Sequence, residues 1–391
     1  MAKLDQLPRA ASSGWIAGDL DARDFSLASR TPLGLRVLES VDRKVLKLPP
    51  KKEHTLHLEH FGDVRNQGSL NACCAFAGVS LMEYRVRRER ELRDADCSPG
   101  FLYKVTRDLL KKSGQPNTDG NVPTDSRTTM KAMTLVGVAP EKMFETSEAN
   151  LDREPDALTY AVAANYKAKA YWRLDVGDVR GEALLQEIKR LLMGDLPLMF
   201  TVHFLVETTL QEFAKQTARQ PRIPVPPAAQ IEALKTLRAV AGRLIPQDAV
   251  PMASAAAGVA PVDPQTRAQQ TLREVLDALR PAEARRNGNG KRNRTNGGGT
   301  PRAGSPKPAG PVESFVGHTL VACGFDDRSR GILVRNSWSD EWAPIAKLPG
   351  YGWLPYEYVT KGLTEDWWFI SDVSFIDPAI FAATPPANVT R

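Results

Sequence analysis

The chain has 391 residues, is 42% hydrophobic and 25% charged, and carries four cysteines. These figures exclude a wholly disordered chain and a disulfide scaffold. They also exclude a membrane span: no run reaches about 18 apolar residues, and the best stretch, 191–206, is broken by Gly194, Asp195, Pro197 and His203. The formal charge of +6 is local. Within 281–310, Arg285, Arg286, Lys291, Arg292, Arg294, Arg302 and Lys307 stand against Glu283 and account for the whole excess. No stable nucleic-acid partner is therefore expected, only weak, salt-sensitive contact of 285–307 with something anionic. The first residues hold no apolar core of signal-peptide type, so a cytoplasmic, reducing compartment with free thiols is expected.

Along the chain, residues 1–60 lack a clear period and read as an N-terminal extension. After the turn-rich stretch 62–69, Ala75, Val79, Met82 and Val86 recur at helical spacing, which predicts a helix with Glu83 and Arg87 paired on its outer face. Ser98-Pro99 predicts a second helix start, a capping residue followed by proline at the first position. A third helix is predicted over 128–136, so 61–166 reads as a helical lobe. From 167 the chain turns toward strands: 196–206, 317–325 and 331–334, the last two joined by a turn at 326–330. Residues 227–313 interrupt this β-rich lobe (167–226 and 314–375) as a low-complexity, partly helical, basic insertion, and 376–391 form a tail. Helices are predicted at 231–244 and 266–280. The Gly-, Asn-, Arg- and Pro-rich stretch 287–310 reads as spacer, cleft lid or anionic tether.

A cysteine nucleophile needs a stabilised thiolate, a base and donors for the oxyanion. Cys73 falls at the predicted start of the first helix, where unpaired N–H groups and the helix dipole favour a negative sulfur. Gln67, six residues earlier across a Gly-Ser turn, is placed to bring its amide beside the Cys73 N–H. Taken alone, Cys73 and Cys74 read equally well as small buried helix residues. His318 opens an apolar strand and Asn336 closes the next. Antiparallel pairing would then put the Asn336 oxygen beside the imidazole, with Trp338 shielding that bond from water.

With these segments in order, the chain resembles the papain-like cysteine peptidases, in particular their bacterial, prodomain-poor branch. The resemblance runs through Gly14-Trp15-Ile16, Asp21-Ala22-Arg23-Asp24-Phe25, Gln67 to Phe76, and Ser98-Pro99-Gly100-Phe101-Leu102-Tyr103. It continues through Gly137-Val138-Ala139-Pro140-Glu141, Gly317-His318, Asn336-Ser337-Trp338 and residues 350–358. It implies an α+β, two-lobed fold, with a helical left lobe and an antiparallel β-rich right lobe flanking the cleft. Cys73 would be the nucleophile, His318 the base, Asn336 its orienter, Gln67 an oxyanion donor and Trp338 a supporting residue. Asn71, Asp119, Gly120 and Gly317 would line the substrate path. The implied activity is hydrolysis of peptide bonds through a thioester acyl-enzyme, with a protein or peptide substrate and no metal or organic cofactor. Omitting 227–313 leaves His318 about 158 residues after Cys73, near the roughly 130 to 150 usual for the class.

The chain departs from the family pattern at several places. Leu70 stands where secreted relatives often carry cysteine, Ala72 and Cys74 flank the nucleophile, and Asn71 occupies a usual glycine. Ser339 and Ala343 replace glycines after Asn336. Two neighbouring helix positions point about 100° apart, so one thiol faces the cleft, and the register from Gln67 selects Cys73. His54, His57 and His60 lack a completing ligand pattern and read as an exposed entering segment. His203 reads as a satisfied core residue, and Cys97 and Cys323 as buried thiols.

Overall fold

The computed structural model describes residues 16, 24–26, 32, 35, 36, 39, 51–90, 94–115, 117–204, 222–228, 231, 232, 235, 316–342, 345, 347–371, 373 and 374. The insertion helices expected at 231–244 and 266–280 and the basic stretch 287–310 lie outside these residues, apart from 231, 232 and 235. So do the family-like residues 14, 15 and 21–23 and the tail 376–391.

Local chemistry explains the helices. In chain order the elements are β1 (Phe25–Ser26), β2 (Glu53–Thr55), α1 (Cys73–Arg90), α2 (Pro99–Lys112), α3 (Ser126–Leu135), α4 (Ala157–Ala163), β3 (Lys167–Ala168), β4 (Tyr171–Arg173) and α5 (Gly181–Met193). They continue with β5 (Leu198–Phe204), β6 (Val316–Asp326), β7 (Gly331–Arg335), β8 (Tyr351–Pro355), α6 (Glu357–Thr360), β9 (Thr364–Ile370) and β10 (Val373–Ser374). Ser98 caps α2 by accepting from Phe101 N at 3.0 Å, with Pro99 at the first helical position. Asp125 caps α3 through Thr128 N at 2.6 Å, which starts that helix two residues before its apolar pattern suggests. Gly137, at φ +99°, turns the chain out of α3; a Cβ there would lie 2.0 Å from the Ala163 carbonyl oxygen.

The main sheet has eight strands in the order β1-β4-β9-β5-β6-β7-β8, with β2 added to β6; β3 and β10 pair separately. All strand pairings are antiparallel except β1 with β4. This is a mixed α+β architecture. Helix α1 packs on β6, α2 and α3 at once. Its expected inner positions, Ala75, Val79, Met82 and Val86, are buried, and so is nearly everything between them.

That packing corrects one expectation. Glu83 is not on an outer face: it is 1% exposed. It does pair with Arg87 (3.6 Å), but also with Arg65 (2.6 Å), and it accepts from Cys97 N at 2.8 Å. A helix covered on several sides has no solvent face, so its carboxylate is stabilised by guanidinium groups and an N–H instead of water.

The chain divides into two compact units, one made of 1–204 with 208–225 and 316–391, the other of 205–207 with 226–315. Every candidate site residue belongs to the first. In the second, Ile231 N donates to Pro227 O at 3.1 Å and Lys235 pairs with Glu232 at 2.9 Å.

Candidate active site

Cys73 is the first residue of α1. Its backbone N–H meets no acceptor among the described residues, as expected for the first turn of a helix. The loop before it is tied to the segment after β7. Gln67 N donates to Ser337 O (2.8 Å), Ser339 N donates to Arg65 O (3.0 Å), and Asn66 bridges Trp338. The buried Arg335 guanidinium reinforces this tie by donating to the carbonyls of Gly62 (3.1 Å) and Asp63 and to the Tyr351 hydroxyl (2.8 Å). Gly62 adopts φ +68° here, and a Cβ would meet the Arg87 guanidinium at 2.2 Å.

These ties fix the Gln67 amide. Its Oε1 accepts from Ser337 Oγ at 2.6 Å and its Nε2 donates to Leu70 O at 2.8 Å. The amide nitrogen carries two hydrogens, so one donor remains after the Leu70 bond.

On the other side, β6 carries His318 and β7 ends immediately before Asn336. The β6–β7 register pairs Val321 with Arg335. His318 Nε2 and Asn336 Oδ1 are 2.8 Å apart, and the same oxygen accepts from Ser337 N at 2.8 Å. The Trp338 ring stacks on the imidazole at 4.5 Å between centroids, inclined by 22°, and Trp342 meets Trp338 edge-on at 6.0 Å. His318 Nδ1 is buried without a hydrogen-bond partner among the described residues.

Electrostatics separates the two adjacent thiols. Burial pushes the Cys73 thiol up, but the neighbouring Cys74 thiol, the His318 imidazole and the Thr319 hydroxyl outweigh it and hold the Cys73 thiol well below its ordinary value. Cys74 moves the other way: burial, then the hydrogen bond and charge of Cys73, push it well above the ordinary value. Its sulfur lies 3.3 Å from Thr319 Oγ1, 3.6 Å from Thr124 O and 3.9 Å from Ser126 Oγ. The two adjacent thiols are therefore shifted in opposite directions. Chemically the cluster offers a thiol held below its ordinary value, a neighbouring imidazole with one nitrogen fixed, and two N–H donors. Exposure is low throughout: Cys73 0%, His318 1%, Gln67 4% and Asn336 5%.

The other residues singled out in the sequence have different surroundings. Asn71 N donates to Asn121 Oδ1 (2.7 Å) and Asn71 Nδ2 to Asn121 O (2.8 Å). Gly120 has both backbone groups engaged, its N–H by Asp152 Oδ1 (3.0 Å) and its carbonyl by Arg107 Nη1 (2.9 Å), so it presents neither to a ligand in this arrangement. Asp119 pairs with Lys111 at 2.9 Å. Gly317 lies in β6 opposite His203, whose Nε2 is 2.8 Å from Glu365 Oε1 in the core. Cys97 and Cys323 are free and buried. Of the spaced histidines, only His57 is exposed. His54 belongs to β2, and His60 packs edge-on against Tyr84 at 5.7 Å. Among the described residues, no group of three His, Cys, Asp or Glu is arranged to hold a metal ion, and no helix is long and apolar enough to cross a membrane.

Sequence reasoning missed Ser337 as the residue orienting Gln67, Arg335 as the strap on the Gln67 loop, Thr319 beside the thiols, and Asn121. Ser337 and Arg335 flank Asn336, and that adjacency is the signal that could have found them. Nothing in the sequence signals Asn121.

Comparison with known proteins bears on the fold. No family model matches the chain. Over 74 residues it is 38% identical to an uncharacterized peptidase C1-like protein of Acanthamoeba polyphaga mimivirus, a match spanning 19% of this chain and 22% of that relative. Among solved structures it is similar to xylellain, a cysteine protease from Xylella fastidiosa, with a TM-score of 0.56 and 18% identity, covering 95% of this chain and 99% of that one. The α+β elements thus form the fold of the papain-like cysteine peptidases.

Proposed function

We propose that the protein is a cysteine peptidase that cleaves peptide bonds by acyl transfer, with Cys73 as nucleophile. The observation that supports this most is the opposed behaviour of two neighbouring thiols. Only Cys73, next to His318, is held well below the ordinary thiol value in a buried setting that would otherwise raise it. In this reading the Cys73 thiolate attacks a peptide carbonyl. The Cys73 N–H and the spare Gln67 N–H receive the oxyanion. His318 gives its proton to the leaving amine, then takes one from water to release the acyl group. Asn336 holds the imidazole through Nε2, leaving Nδ1 for the sulfur, and Trp338 keeps water off that bond. An amine in place of water would make the same thioester a ligation intermediate.

Cys73 is fully buried, so a peptide reaches it only after what covers the thiol is displaced. That observation favours a second reading, a peptide-binding protein that retains the cleft without turnover. A fluorogenic peptide library, with Cys73→Ala as control, decides between them. Turnover lost in the variant supports the peptidase; binding without turnover in the parent chain supports the second reading.

A further inference from the structure

The proposed acyl transfer constrains where the two halves of a substrate lie. The leaving amine must meet its proton donor, His318, and the carbonyl oxygen must meet Cys73 N–H and Gln67 Nε2. The acyl half then extends away from His318, over the segment that leads into Cys73. There the structure leaves little room. Asn71 is 6% exposed and donates two bonds to Asn121, N to Oδ1 and Nδ2 to O. A third bond runs from Asn121 Nδ2 to Ser69 O at 2.8 Å. The Tyr103 hydroxyl stands behind, 3.4 Å from Asn121 Oδ1 and donating to Val122 O at 2.6 Å. Arg107, itself buried, fixes the preceding turn through the Thr118 and Gly120 carbonyls (3.3 and 2.9 Å) and Asp152 (2.6 Å). Asn71 stands two residues before Cys73, so the clasp borders the segment over which the acyl half would run, and Tyr103 and Arg107 hold the loop behind it.

We propose that the Asn71–Asn121 clasp sets specificity by restricting the residue that supplies the scissile carbonyl to small side chains: glycine, alanine or serine. A bulky side chain there would have to break two hydrogen bonds and leave the donors of the buried Asn71 without their acceptors on the exposed Asn121. Even single-methylene differences discriminate by roughly tenfold or more in tight sites. The inference rests on the peptidase reading of the same site.

The test uses the full chain and four fluorogenic peptides that differ only in the residue before the scissile bond: Gly, Ala, Phe and Arg. For the parent chain, kcat/KM for Gly and Ala is expected to exceed that for Phe and Arg by about tenfold or more. In Asn71→Gly the ratio is expected to fall toward unity. Asn121→Ala, which removes the other of the two bonds, that from Asn71 N to Asn121 Oδ1, is expected to lower the ratio as well and serves if Asn71→Gly does not fold. A parent chain that cleaves all four at similar rates, or ratios unchanged in folded variants, overturns the clasp and leaves the peptidase reading standing. If no peptide is cleaved and an epoxide electrophile does not modify Cys73, the peptidase reading fails and the clasp proposal falls with it.

Discussion

Asn336→Ala tests the working of the site most sharply. The substitution removes the oxygen that accepts from His318 Nε2 and from Ser337 N, both at 2.8 Å. It does so in a place where His318 is nearly closed to water and roofed by Trp338. Two donors are left without their acceptor, and the imidazole loses the contact that fixes Nε2. A hydrogen bond to a charged group contributes about 1.5 to 3 kcal/mol. Since each 1.36 kcal/mol is tenfold in rate, kcat/KM is expected to fall by roughly 10- to 150-fold. The loss should lie mainly in kcat, because Asn336 touches the base and not the peptide. Asn336→Asp keeps an oxygen acceptor and should lose less. Steady-state kinetics on one fluorogenic peptide, with thermal unfolding to show that each variant is folded, gives the answer. A folded Asn336→Ala protein within about twofold of the parent would refute this account of the hydrogen bond.

Two further outcomes follow from the electrostatics. The reactive form of Cys73 is the thiolate, and its folded value lies well below the ordinary one. Alkylation by iodoacetamide should therefore stay fast as pH falls far below the roughly 8.5 of a free thiol, and decline only once that lowered value is crossed. His318→Ala removes the hydrogen bond and charge that oppose burial, so the limb should move to higher pH. A limb at or above the free-thiol value in the parent chain would contradict the assignment. Glu83→Ala leaves the Arg65 and Arg87 guanidinium groups and the Cys97 N–H without their buried acceptor, and urea unfolding should show a loss of about 3 to 5 kcal/mol. A loss below about 1 kcal/mol would mean that water reaches Glu83 after all.

What was legible in the sequence was local or ordered. The start of α2 could be read because Ser98 and Pro99 carry their meaning within one turn. The strands of His318 and Asn336 could be read because apolar runs and a polar turn define a hairpin over some twenty residues. Glu83 was misread because a helical period reports one buried stripe, and α1 is covered on more than one side. The two-residue strands β1, β3 and β10 carry no period at all. The fine structure of the site was hidden for a different reason. Gln67 is oriented by a hydroxyl 270 positions away, and Asn71 is held by an asparagine 50 positions away. Such pairs are chosen by tertiary closeness, and a single amide or hydroxyl in a loop gives no sign of its partner.

The central claim is that one of two adjacent thiols carries the reaction. It is tested most directly by mapping the site of covalent attachment of a peptidyl epoxide, by peptide mass spectrometry, in the parent chain, Cys73→Ala and Cys74→Ala. The expected pattern is one adduct, on Cys73, retained in Cys74→Ala and lost in Cys73→Ala. Attachment that persists without Cys73 would contradict the assignment of the nucleophile.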